Sequence, residues 1–267
     1  MYTRDIKQWI STLHEEDLIL AKKAYEKHFV DMKEATFYQL LARLNEEKYI
    51  GKIAKGLYYK PKKNDFDALP SQEKLLAFFT NKDKNGMIIG RKMLENKGII
   101  SDDVQVYDII TNTIEIKTKR YIANLVVENV DVDFKNVNVR KSIELLELIE
   151  LIDSCENVNN EAVKNMVNDF ISTYSDDDFF KALNAKGYKK RNVAAIKVIL
   201  DHNGVANALA RQLNTASKYA FPDGAFLFCI TGSPLFVCVI IYSSSGTTPI
   251  KSIDNKSTIS YCSEYTF

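Results

Sequence analysis

The apolar spacing of the first sixty residues changes period once, and that change restricts what the chain can fold into. Ile6, Trp9, Ile10 and Leu13 recur at helical spacing, so Thr3 to Leu13 reads as a short amphipathic helix. Leu18, Ile19, Ala21, Tyr25 and Phe29 continue the pattern and predict a second helix from Glu16 to Phe29. A third is expected to run to about Asn45, capped by Asp31 with Glu34 as its capping-box partner. Its core stripe is Phe37, Leu40, Leu41 and Leu44. The period then shortens. Tyr49 to Ala54, the turn Lys55-Gly56, and Leu57 to Lys60 read as a β-hairpin with glycine at its tip. Three helices followed by a basic hairpin are the pattern of a winged helix-turn-helix.

Charge reinforces that division. The whole chain carries 36 basic and 35 acidic residues, so its net charge of +1 says nothing about partners until it is divided by segment. Residues 1–63 hold 13 Lys or Arg against nine acids, and Lys48 to Lys63 contains six lysines and no acid. Residues 144–180 are the reverse, with ten acids against Lys164 alone. The linker-like Pro61-Lys62-Lys63-Asn64-Asp65 separates the first segment from a region of mixed charge. The reading is an α+β chain in three parts. A winged helix-turn-helix over 1–63 precedes a mixed α/β domain with a short sheet and several helices over 64–222. An apolar, then Ser/Thr-rich tail over 223–267 closes it.

The first segment has chemistry suited to duplex DNA. A helix fits the major groove, and Thr36, Gln39 and Arg43 project away from the apolar stripe, with Lys33 in the first turn. Gln39 and Arg43 lie one turn apart, and glutamine pairs with adenine and arginine with guanine. Arg43 is equally within helical reach of Glu46 and Glu47. Lys52, Lys55 and Lys60 on the hairpin would neutralise phosphates, supplying affinity without sequence reading. The bland alternative is a protein-binding module whose lysines only solvate the hairpin.

Ala35 to Pro61, with Leu41-Ala42-Arg43-Leu44, Ile50, Lys52 and Lys55-Gly56-Leu57-Tyr58-Tyr59-Lys60-Pro61, resembles the winged-helix start of AbiEi-type antitoxins. These belong to type IV toxin–antitoxin (abortive infection) systems. Lys48 stands where the family usually has glycine after the recognition helix. Asn85 to Gly90 resembles the family's entry into its second domain, and Glu144 to Asp153 is similar to its helix ending in Leu-Asp. Leu213-Asn214 before Tyr219 is similar to its late Leu-Asn-Pro segment, with Thr215 in place of proline. The likeness covers residues 2 to 222. It implies a cytoplasmic antitoxin that represses its own promoter through double-stranded DNA and helps neutralise a nucleotidyltransferase-like toxin.

Beyond the hairpin, Val104, Val106, Ile109, Ile110, Ile114, Ile116, Leu125, Val126 and Val127 are spaced as in a half-buried antiparallel sheet. Lys117, Lys119 and Arg120 are read as a solvated strand edge, the alternative being an extension of the DNA footprint. Apolar residues at 139, 143, 146, 149 and 152 predict a helix, with further helices over 163–171 and 179–183 and one or two more over 193–213. The acidic face of the first of these is expected to be either solvated or a docking surface for a basic partner. Asp131-Val132-Asp133 could hold a cation if it lay on a strand, but no upstream Gly-Ser turn accompanies it.

The other function classes lack motifs. There is no glycine-rich phosphate loop, and four Cys without Cys-x-x-Cys spacing and three scattered His argue against zinc. No catalytic residue, metal or cofactor is therefore assigned, and the protein is read as a non-enzyme. The N-terminus has no apolar signal core or lipidation motif, which makes the cytoplasm the default and a membrane unexpected. Ala225 to Tyr242 is 18 residues without a charge, but Thr231-Gly232-Ser233-Pro234 at its centre favours two strands, 226–230 and 235–241, over one membrane helix.

Overall fold

The computed structural model describes residues 2–115, 118–214, 217–220 and 264–266. Helix α1 covers Tyr2–Thr12 and buries Ile6 and Ile10, one turn apart on a single face. The expected second helix starts later than its apolar spacing suggests. Glu16 adopts a left-handed φ of 65°, which breaks a helix there. Leu18–Leu20 then forms strand β1, and helix α2 runs over Ala21–His28.

Helix α3 is Glu34–Glu46, with Phe37, Leu41 and Leu44 buried and Leu40 packed at the edge of the same cluster. Asp31 does not cap it. Met32 is buried in the helical core, which holds the preceding turn in place, so the chain enters the helix at Lys33, whose side chain makes no cap bond. At the far end, Lys48 takes the left-handed conformation (φ 55°). Tyr49 N–H bonds to the Leu44 carbonyl at 2.8 Å and Lys48 N–H to that of Asn45 at 3.0 Å. This pair of bonds is the Schellman termination, in which glycine is favoured.

Strands β2 (Gly51–Ala54) and β3 (Leu57–Tyr59) form the expected hairpin, and β1 adds to its other side, giving the order β1-β3-β2. Both pairings are antiparallel, with Ile19 and Lys52 on either side of Tyr58. Because β3 is central, Leu57, Tyr58 and Tyr59 are all buried. Ile19 and Tyr58 join Phe37, Leu41 and Leu44 in the helical core. Gly51 is required by packing, since a Cβ there would lie 2.1 Å from the Tyr59 ring.

Helix α4 (Gln72–Thr80) is capped by the Ser71 hydroxyl and leads to β4 (Gly86–Ile89), α5 (Gly90–Asn96), β5 (Tyr107–Thr111), β6 (Arg120–Ile122) and β7 (Leu125–Asn129). These strands form one sheet in the order β4-β5-β7-β6. Leu125 and Val127 are buried on either side of half-buried Val126, as alternation predicts, whereas the adjacent Ile109 and Ile110 are both buried, so β5 is covered on both faces. Val106 is exposed and Ile114 is buried in the turn after β5. Ile116 and Lys117 lie outside the described residues. Gly86 admits no side chain, because a Cβ would sit 2.5 Å from two backbone carbonyls.

Four helices follow: α6 (Val137–Leu151), α7 (Asn160–Ser172), α8 (Asp176–Ala185) and α9 (Lys190–His202). Asn136, Asn159 and Ser175 cap the first three through their side-chain oxygens. The one or two helices expected over Val193 to Leu213 are α9 and, past Gly204 (φ 67°), a 3₁₀ turn, Leu209–Gln212. Strand β8 (Lys218–Ala220) pairs antiparallel with β9 (Glu264–Thr266). The fold class is α+β. The chain divides into two compact units, Met1–Met87 with Ile109–Asn129, and Ile88–Asp108 with Val130 onward. The first unit thus continues beyond residue 63. No described helix is long and apolar enough to cross a membrane. The two strands expected over 226–241 lie outside the described residues.

Candidate nucleic-acid interface

The stripe that buries α3 also decides which side chains it offers to solvent. With Phe37, Leu41 and Leu44 turned into the core, Lys33, Gln39 and Arg43 are exposed and Thr36 is half-buried. Gln39 and Arg43 are one turn apart and therefore share a face. The side chains of Lys33 and Gln39 make no hydrogen bond or ion pair among the described residues.

Arg43 is held. Its Nε donates to Glu47 Oε1 at 3.0 Å, while the other oxygen of that carboxylate accepts from Lys7 Nζ at 2.8 Å. These two hydrogen bonds, from Lys7 first and then Arg43, hold the Glu47 carboxyl below the usual range. Lys7 lies over the Tyr49 ring at 5.1 Å, and Tyr49 Oη donates to the Lys7 carbonyl at 3.2 Å. The Arg43–Glu47 pair follows from helical spacing. Lys7 has no local signal, because it reaches Glu47 across 40 residues.

The three hairpin lysines separate. Directly opposed residues of an antiparallel pair point to the same face. Lys52 is opposite Tyr58, so it emerges on the side of the sheet that packs against the helices, from an edge strand. Lys55 is exposed at the tip beside Gly56, whose φ of 76° suits glycine. Neither has an ion-pair partner among the described residues. Lys60 instead turns back to the end of α1, donating to the Ser11 carbonyl at 3.1 Å and the Leu13 carbonyl at 2.5 Å. It neutralises a helix C-terminus rather than standing free.

Other cations of the first unit are also engaged. Lys22 pairs with Glu115 at 2.9 Å, Lys48 with Asp67 at 3.3 Å and Lys62 with Glu16 at 3.4 Å. Lys119, at the solvated edge of the second sheet, pairs with Glu128 at 3.2 Å. The basic residues left open on this unit include Lys33, Lys52 and Lys55, in positions that sequence singles out.

The acidic stretch is neither bare nor simply solvated. Glu147 is buried and accepts from Lys186 Nζ at 2.5 Å and Tyr188 Oη at 2.9 Å. Glu150 accepts from Asn192 Nδ2 at 2.6 Å and from Lys189. Glu144 pairs with Lys97 and Asp169 with Lys141, each at 2.8 Å. Burial pushes the Glu150 and Asp178 carboxyls up, yet hydrogen bonds hold both below the usual range. They come from Lys189 and Asn192 in the first case, and from Lys181, Ser175, Asn138 and Asn136 in the second. A groove of about 340 Å³ beside α6 and α7 contains both Lys97–Glu144 and Lys141–Asp169, so its charges are already matched.

Asp131 and Asp133 lie past the end of β7 rather than on a strand, and Asp133 accepts from Lys135 N–H at 3.0 Å. Among the described residues no group of three or more His, Cys, Asp or Glu is placed to hold a metal ion.

No family model and no curated protein matches the chain. Among solved structures it is similar to the Rv2827c protein from Mycobacterium tuberculosis, at 10% identity over 76% of this chain and 78% of that one. The TM-score is 0.31, a likeness too low to carry an argument about fold or function.

Proposed function

We propose that this protein is a cytoplasmic DNA-binding repressor whose N-terminal residues form a winged helix-turn-helix, with α3 as the recognition helix and β2–β3 as the wing. One observation carries the reading. The order α1-β1-α2-α3-β2-β3, with β3 central in its sheet, sets Gln39 and Arg43 outward on α3, and Lys52 on the helix side of the wing. Lys33, Lys52 and Lys55, which have no ion-pair partner among the described residues, offer charge of the kind a phosphate backbone needs, and the polar pair on α3 is what base edges need. The resemblance to AbiEi-type antitoxins extends the proposal to repression of its own promoter and neutralisation of a nucleotidyltransferase-like toxin.

For the alternative, a protein-interaction module that uses its acidic helices, part of the acidic charge is already matched within the chain. Glu144, Glu147, Glu150 and Asp169 each already meet a lysine from outside the acidic stretch. The test is binding of the full chain to duplex DNA from its own promoter as salt is raised. The proposal expects log affinity to fall linearly with log salt. Affinity that is absent, or indifferent to salt, refutes it.

A further inference from the structure

We infer that Glu47 is a positioning residue for base recognition, holding the Arg43 guanidinium by its Nε edge so that its two amino groups face outward as a preset fork. The inference rests on the DNA-binding reading of α3 and deepens it.

Arginine has five N–H donors in one plane. The bond from Nε to Glu47 Oε1, at 3.0 Å, uses one of them. The terminal Nη1 and Nη2 groups make no hydrogen bond among the described residues, and 66% of the side chain is exposed. That end-on pair is the one that matches guanine O6 and N7. A carboxylate bound across both Nη groups would have blocked the same contact. Bound at the Nε edge, it fixes the plane and leaves the fork open.

A surface i,i+4 pair by itself holds little. Glu47 is different because it is fixed from the other side. Lys7 Nζ occupies its second oxygen at 2.8 Å, and Lys7 is itself tied to Tyr49 by a backbone hydrogen bond and a cation–π contact. The chain Tyr49–Lys7–Glu47–Arg43 therefore runs from the end of α3 through α1 to the reading side chain. A long side chain held before binding loses less freedom when it binds, and this gain is realised only at the base pair it reads.

Electrostatics gives the inference a distinguishing signature. Glu47 carries negative charge next to the surface proposed to meet phosphates, so it opposes binding to every sequence while sharpening one contact. Removing it should move affinity and selectivity in opposite directions, whereas a purely structural role moves neither base preference nor its position.

The experiment uses a randomised duplex library to define the wild-type preference, then single-base variants of the preferred duplex. Wild type, Glu47→Ala, Arg43→Ala, the double variant and Lys7→Ala are compared at fixed salt, with thermal melting to confirm folding. Glu47→Ala should bind unrelated duplex more tightly, yet lose about threefold to tenfold discrimination at one base pair, the scale of freezing one long side chain. That base pair should be the one Arg43→Ala affects, with no further loss in the double variant. Lys7→Ala, which leaves the Arg43–Glu47 bond in place, should show a smaller loss at the same position. Unchanged discrimination in Glu47→Ala, or a loss at another base pair, overturns the inference and leaves DNA binding standing. Absence of salt-dependent binding by the wild type overturns the underlying reading first.

Discussion

The wing and helix α6 carry opposite charges, but the sharper contrast is in what those charges touch. On the wing, Lys52 and Lys55 stand exposed without ion-pair partners among the described residues. On α6, Glu144, Glu147 and Glu150 are met by Lys97, Lys186 and Lys189. Segregation of charge along a sequence is therefore not segregation in space. Glu144, Glu147 and Glu150 have their counter-charges brought to them by the fold, whereas the fold brings none to Lys52 and Lys55 among the described residues.

The largest expected effect tests this directly. Replacing Lys186 by Met leaves the buried Glu147 without its cation, and breaking a buried pair from one side should cost about 3 kcal/mol. The same change at exposed Lys52 should stay within about 0.5 kcal/mol. Urea midpoints of the two variants check the contrast. Equal losses would dissolve the distinction between paired and open charge.

Acid should weaken the second unit for the same reason. Glu150 and Asp178 have folded pKa values below their ordinary ones, so their contribution is present above the ordinary range near 4. It is lost as pH falls through the lower folded values. The urea midpoint followed by circular dichroism should drop across that window, and Glu150→Gln should flatten the drop. A midpoint that rises on acidification would reverse the sign of the argument.

Much of the first unit was legible because its cores are local and periodic. Ile6 with Ile10, and Phe37 with Leu41 and Leu44, are read from spacing alone. Strand β1 was not, because Leu18-Ile19-Leu20 carries no alternation of its own and takes its conformation from pairing with β3. Non-local partners were equally invisible. Lys186 reaches Glu147 across 39 residues, and Lys60 finds the Leu13 carbonyl across 47. At the candidate interface, sequence located the exposed face of α3 and the two open wing lysines, but could not tell them from Lys60.

Lys60 gives the next prediction. Lys60→Ala should cost about 1 kcal/mol by removing the cation at the end of α1, while leaving the salt slope of DNA binding close to wild type. Lys52→Ala with Lys55→Ala should do the opposite, sparing stability and reducing that slope by about 2. The two measurements separate a structural lysine from phosphate contacts within one hairpin.

The smallest effect falls on Lys48, a cation in the acid-free run that the structure places among the paired ones. It occupies the left-handed position that ends α3, where a side chain is disfavoured by about 1 kcal/mol. Its amine already faces Asp67 at 3.3 Å. Lys48→Gly relieves the backbone, partly offset by the greater freedom glycine has when unfolded, so a net gain of about 0.5 kcal/mol is expected. Because Lys48 has a partner of its own, the same substitution should leave the salt slope unchanged despite removing a positive charge. A stabilised variant with an undiminished slope confirms that position and partner, not membership of a basic run, decide what a lysine does here. A slope reduced as much as by Lys52→Ala would place Lys48 on the DNA and extend the interface to the end of the recognition helix.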